Sequence, residues 1–105
     1  MVDEATLREI ALSFPETIEQ PHFEKTSFRA KKKIFATYSS HDKRACLKLS
    51  EIDQSVFCSL DKTIVYPVPN KWGKQGWTLF ELNLIEKEVL HDALETAYKE
   101  VTRKK

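Results

Sequence analysis

Glycine and cysteine are scarce in this chain, with two of each in 105 residues, and no long apolar run occurs. Cys46 and Cys58 lie twelve positions apart and form no C-x-x-C pair, which argues against a zinc site or a redox dithiol. Each is expected as a small buried or half-buried hydrophobe. No stretch approaches the roughly 20 apolar residues that span a bilayer. The start, Met1-Val2-Asp3-Glu4, is acidic where an export signal would be basic and then apolar, so a cytoplasmic protein without membrane contact is expected. His22, His41 and His91 show no ligand spacing, and no metal or cofactor is expected. Internal repeats and low-complexity tracts are also missing, and the length fits a single domain over residues 1–105.

What is present is enough for a core: 41% of residues are hydrophobic and 31% charged, unlike a disordered chain. The net charge of +1 conceals a division. Residues 1–20 hold one basic and five acidic residues, residues 21–80 eleven and five, and residues 81–105 five and six, so the basic surplus is central. Such a regional surplus creates a local field even when the total cancels. The second informative stretch is 66–77, which holds both tryptophans, both glycines and two of the four prolines beside Lys71 and Lys74. Aromatics and permissive backbone gathered in one connection mark a shaped loop.

Asp3 is placed to cap a helix running to about Ser13, with Leu7, Ile10, Ala11 and Phe14 on one face. The stretch Glu16–Lys25, interrupted by Pro21, reads as a partly extended connection. Alternation and β-branched content predict strands over Thr26–Ala30, Ile34–Tyr38 and Arg44–Leu49, joined by short turns as a meander. In the last of these Ala45, Leu47 and Leu49 should face the core while Cys46 and Lys48 face away. Ser50 with Asp53 resembles a capping box opening a short helix that buries Ile52, Val56, Phe57 and Leu60. Thr63–Val68 and Trp77–Leu82 read as strands. Ile85–Arg103, capped by Asn83, is the helix with the clearest period. The order α-β-β-β-α-β-β-α predicts an α+β two-layer sandwich, an antiparallel sheet with helices on one side.

Phe14-Pro15-Glu16, Phe28-Arg29 leading to Lys33-Ile34-Phe35-Ala36, Leu47-Lys48-Leu49 and Trp72-Gly73-Lys74-Gln75-Gly76-Trp77 together resemble the MmcQ/YjbR family of small bacterial proteins over about residues 4–102. The resemblance implies the same element order, a layout similar to bacterial secretion chaperones, and a DNA-binding role through a double-wing motif. The chain departs from that pattern twice. Glu16 stands near where a glycine is expected after Pro15, and Lys31-Lys32-Lys33 fills the first hairpin where glycine is common.

The chief functional candidates are therefore cations: Lys25, Arg29, Lys31, Lys32, Lys33, Lys43, Arg44, Lys48, Lys71 and Lys74. Clustered cations suit phosphate because binding releases counterions; equally, lysines at hairpin tips keep edges soluble. Trp72 could stack on a base or grip a ligand, whereas Trp77, heading a strand, reads as core. The expected function is non-enzymatic DNA binding through Arg29, Lys31, Lys32, Lys33, Lys48, Lys71, Trp72 and Lys74. The alternative is a protein-interaction module or homodimer using an exposed sheet face or edge, with Phe35, Tyr66 and Trp72 as contacts. An enzyme or small-ligand pocket near Trp72, Trp77 and His22 is the third reading. Ser39-Ser40-His41-Asp42 has the composition of a catalytic triad but reads as a turn, since neighbours in a turn do not converge as a triad requires.

Overall fold

The computed structural model describes residues 1–22 and 25–103. Helix α1 (Glu4–Leu12) is followed by β1 (Thr17–His22), β2 (Lys25–Ala30), β3 (Lys33–Ser39) and β4 (Arg44–Lys48). Then come α2 (Glu51–Cys58), β5 (Val65–Pro67), α3 (Lys71–Lys74), β6 (Trp77–Glu81) and α4 (Lys87–Thr102). All strand pairings are antiparallel, in one sheet of order β1-β2-β3-β4-β6-β5. The α+β sandwich is thus as expected, with two additional elements, β1 and the single-turn α3.

Each helix forms for a local reason. Asp3 accepts a hydrogen bond from the Thr6 amide, and Ser50 one from the Asp53 amide, so both side-chain caps are in place. Helix α4 starts later than expected, at Lys87, with Glu86 as its N-cap and no side-chain cap bond. Asn83 instead belongs to a turn in which Leu84 and Ile85 donate to the Glu81 carbonyl, and this turn buries Ile85.

The helix α4 packs on β2, β3 and β4, where Leu90, Ala93, Leu94 and Ala97 are buried against Phe28, Ala36, Ala45 and Leu47. In β4 the expected alternation holds: Ala45, Leu47 and Leu49 are buried, while Cys46 and Lys48 are half-buried on the opposite face. Phe14 stacks on Tyr98 at 5.0 Å between ring centres, and the Tyr98 hydroxyl donates to the Pro15 carbonyl, which fastens the end of α1 to α4.

Helix α2 departs from expectation. Ile52, Val56 and Leu60 are 78%, 56% and 61% exposed, and of the four residues expected in the core only Phe57 packs inward, against Phe80. The reason is position: α4 occupies the middle of the sheet, so α2 lies over β5, the short strand at the margin. Strand β1 escaped the sequence pattern because it is the opposite edge, carrying Pro21 and a half-exposed Ile18 and so lacking the alternation of a strand with one buried face.

A β-bulge alters the remaining face. Phe28 pairs with Ala36 and Arg29 with Ile34, leaving Phe35 as the extra residue on β3. Phe35 is buried beneath the helices, in edge contact with Tyr98, and the change of parity puts Ile34 on the same face as Thr37. Among the described residues none of the longer helices α1, α2 and α4 covers that face, and only α3 borders it, through Trp72.

Candidate nucleic-acid interface and the open sheet face

Strand register decides which cations are neighbours. Ala36 pairs with Leu47 and Leu47 with Thr78, while Lys48 pairs with Trp77. Moving along β3 toward Lys33 therefore means moving along β4 toward Lys48 and along β6 toward Trp77. The β2–β3 hairpin tip, Lys48 and α3 lie at the same end of the sheet.

Lys31 and Lys32 are the two central residues of that hairpin, closed by the Ala30–Lys33 pair, with φ of 52° and 68°. Positive φ at both positions is what a two-residue hairpin of type I′ needs, and Asn-Gly meets it at far less cost than two lysines. Glu16, the other place where glycine is expected, also has positive φ, 60°. Lys31, Lys32 and Lys33 are exposed. Arg29 is half-buried, its Nε donating to Ser27 Oγ at 3.3 Å.

The other expected cations divide in role. Lys71 and Lys74 are exposed on α3, and Lys71 Nζ stands 5.8 Å from the centre of the Trp72 ring. Trp72 is 49% exposed, whereas Trp77 is half-buried. Lys48 Nζ donates to the carbonyl oxygens of Gln75 and Leu49, so its charge joins β4 to the end of α3. Lysine on the last carbonyls of a helix is electrostatically favourable.

The loop around Trp72 is held from beneath. Asn70 caps α3 by accepting from the Trp72 amide. Gln54 Nε2 on α2 lies within reach of Gly73 O, Thr78 Oγ1 and Trp77 O. The two glycines serve different needs. Gly76 has φ of 104°, and a Cβ there would stand 1.8 Å from Leu49 O. Gly73 is helical, but its Cβ would stand 2.0 Å from Val68 O. Close approach, rather than turn geometry, explains Gly73. Sequence reasoning missed Gln54, because nothing in a helix sequence shows that an amide will reach a loop 19 residues ahead.

Trp72 and Trp77 also border a hollow of about 580 Å³ on the open face, floored in part by Ile34, Cys46 and Leu79. Lys25, Ser39, Asp42 and Arg44 contribute polar groups to it. Arg44 Nη1 donates to the Tyr66 hydroxyl at 3.1 Å, Arg44 Nη2 is 3.5 Å from Asp42 Oδ2, and the Tyr66 hydroxyl donates to Glu81. The hydrogen bond to Tyr66, ahead of the nearby carboxylates, raises the Arg44 pKa, while desolvation and the Glu81 bond raise that of Tyr66. Burial pushes the Cys46 thiol up to about 11, so it is a neutral part of the floor. The side chain of His22 lies outside the described residues. Ser39 to Lys43 form the expected turn, with Lys43 at φ 56° and its amide donating to Ser39 O. No helix among the described residues is long and apolar enough to cross a membrane.

Apart from Asp42 and Glu81, which are engaged with Arg44 and Tyr66, part of the acidic charge sits in the helix layer. Glu86, Glu88 and Asp92 are exposed at and beyond the start of α4, in the helix layer. Arg44 and Lys48 alternate with the buried residues of β4 and so project from the open face.

Comparison with known proteins agrees with this architecture. No curated protein matches the sequence. The crystal structure of Deinococcus radiodurans protein DR2400, which carries the DUF419 domain, superposes with a TM-score of 0.81 at 21% identity, covering 93% of this chain and 77% of that one. At that identity the likeness concerns the fold. The YjbR family model matches residues 12–100, the span from the end of α1 through most of α4, including the hairpin tip and the tryptophan loop. The chain therefore belongs to the YjbR family.

Proposed function

We propose that the protein binds duplex DNA through the phosphate backbone, using the Lys31–Lys33 hairpin and α3 as two projections at one end of the sheet. The observation that carries this reading is the left-handed backbone at Lys31 and Lys32. A two-residue turn of this kind is most stable with glycine or asparagine, so lysine at both positions costs stability and places two cations at the most exposed point of the hairpin. Arg29, Lys33, Lys71 and Lys74 add charge, and Trp72 offers a flat face beside Lys71. These contacts position the protein without specifying sequence. Lys48 contributes by holding the loop through the Gln75 carbonyl. No catalytic step is part of the proposal.

Labelled duplex DNA titrated at several salt concentrations tests it. Log affinity should fall by about 0.9 per neutralised phosphate for each decade of salt. The slope should become shallower when Lys32 and Lys33 are changed to glutamate. Binding indifferent to salt, or no binding at low salt, rejects the proposal.

A second reading, pairing with another copy of the chain, is favoured by β1, a sheet edge with Ile18 half exposed. Phe35 is buried and plays no part in it, whereas Tyr66 and Trp72 remain reachable from the open face. A light-scattering mass of twice the monomer, unchanged by salt, would favour this reading.

A further inference from the structure

The solvent side of an antiparallel sheet is ordinarily polar. Here its centre carries the apolar Ile34, Cys46 and Leu79 beside Thr37. Thr37, Cys46 and Leu79 are cross-strand neighbours on β3, β4 and β6, and the bulge at Phe35 adds Ile34 to the same face. An apolar group left on an uncovered sheet face gains nothing for the core. It is explained if something covers it.

Size and chemistry restrict what that is. The hollow of about 580 Å³ falls inside the range of roughly 300–1,000 Å³ typical of small-molecule sites. Trp77 from β6 and Trp72 from α3 supply two indoles to its lining, and flat aromatic surfaces favour flat partners. Trp72 remains 49% exposed, so it has surface left to cover.

The polar groups select charge. Arg44 is oriented by the Tyr66 hydroxyl at 3.1 Å and by Asp42 at 3.5 Å, and a guanidinium has more N–H donors than these contacts use. A planar fork already fixed in place is suited to a carboxylate. Lys25 adds a second cation to the lining. Asp42 is the carboxylate among the described lining residues; its Oδ2 faces Arg44 and accepts from Ser39 Oγ at 3.3 Å, so its charge is already engaged. The neutral Cys46 thiol places no negative charge on the floor.

We propose that the open face binds a small planar aromatic acid, its ring against Trp72 and Trp77 above Ile34, Cys46 and Leu79, and its acid group on Arg44. The site is separate from the phosphate contacts of the hairpin and does not depend on the DNA-binding reading. It shares only Trp72 with them.

The test uses 1-naphthoate as probe and 1-naphthalenemethanol as its uncharged counterpart, each titrated into the full chain while amide shifts and tryptophan emission are followed. Saturable binding of the acid is expected, with shifts concentrated at Ile34, Thr37, Cys46, Trp77 and Leu79, and with affinity about tenfold above that of the alcohol. Arg44→Gln should abolish the preference for the acid. Arg44→Lys keeps the charge without the fork and should retain only part of the preference. Trp72→Ala removes an exposed ring and should weaken the acid several-fold while leaving the melting temperature unchanged. Shifts confined to the helix layer, non-saturable quenching, or equal affinity for acid and alcohol in the unaltered protein would overturn the proposal.

Discussion

Gln54 Nε2 donates to the Gly73 carbonyl oxygen at 2.9 Å, joining α2 to the middle of α3. The same amide nitrogen lies 3.1 Å from Thr78 Oγ1 and 3.3 Å from Trp77 O, so one side chain on the helix layer supports the middle of the tryptophan loop and its exit into β6. Removing it leaves Thr78 Oγ1 without a donor, while the Gly73 and Trp77 carbonyls keep the Gly76 and Val68 amides, a loss of about 1 kcal/mol. Gln54→Ala should therefore lower the urea midpoint and increase the exposure of Trp72, read by the acrylamide quenching of its emission.

Gly76 tolerates no side chain. With φ at 104° and a Cβ position 1.8 Å from Leu49 O, Gly76→Ala requires the loop to separate from β4, where Leu49 N donates to Gly76 O at 2.9 Å. Destabilisation of about 3 kcal/mol or more is expected, as for other substitutions that combine backbone strain with a steric clash. Gly73→Ala should be nearly as harmful through Val68 O, despite lying in a helix where alanine is usually favoured. Thermal unfolding of both variants checks this.

The hairpin tip makes the opposite prediction. Replacing Lys31-Lys32 by Asn-Gly removes left-handed strain from two lysines and should stabilise the fold by about 1 kcal/mol or more. The same change removes two exposed cations and should weaken duplex binding. A variant that gains in melting temperature while losing affinity identifies the lysines as placed for contact; one that loses neither affinity nor stability shows them to be a solubility device.

Alkaline stability should depend on Cys46. Burial raises its thiol pKa from an ordinary 9.0 to about 11. The folded state therefore holds the proton more tightly than the unfolded chain, a contribution present below about pH 9 and lost as pH rises through about 11. The share involved is about 2 to 3 kcal/mol, at about 1.36 per unit. Tyr38 and Tyr66, both raised chiefly by desolvation, add losses of the same sign at higher pH. Urea titrations of the original protein and Cys46→Ala between pH 8 and about pH 11 should show a shallower decline in the variant.

How much of this was legible beforehand follows from where each signal resides. The alternation of Ala45, Cys46, Leu47, Lys48 and Leu49 marks a strand with one buried face, and the structure has one there. Asp3 and Ser50 announce their helices because capping is a local interaction. What escaped is relational. Ile52, Val56 and Leu60 have the spacing of a buried stripe, yet α2 overlies only the sheet margin and leaves them in solvent. Likewise, only a strand pairing shows that Phe35 is a bulge residue and that Ile34 faces the open side. The lysine pair at the first hairpin stood out as residues where glycine is common, and its backbone is in the region where glycine is favoured.

The most direct test of the proposed interface is amide shift mapping of the labelled protein with a short DNA duplex at low salt. Shifts at Arg29, Lys31, Lys32 and Lys33 together with Lys71, Trp72 and Lys74, reversed by added salt, are the predicted result. Shifts confined to α1, α4 or the outer face of α2, or none at all, would contradict it.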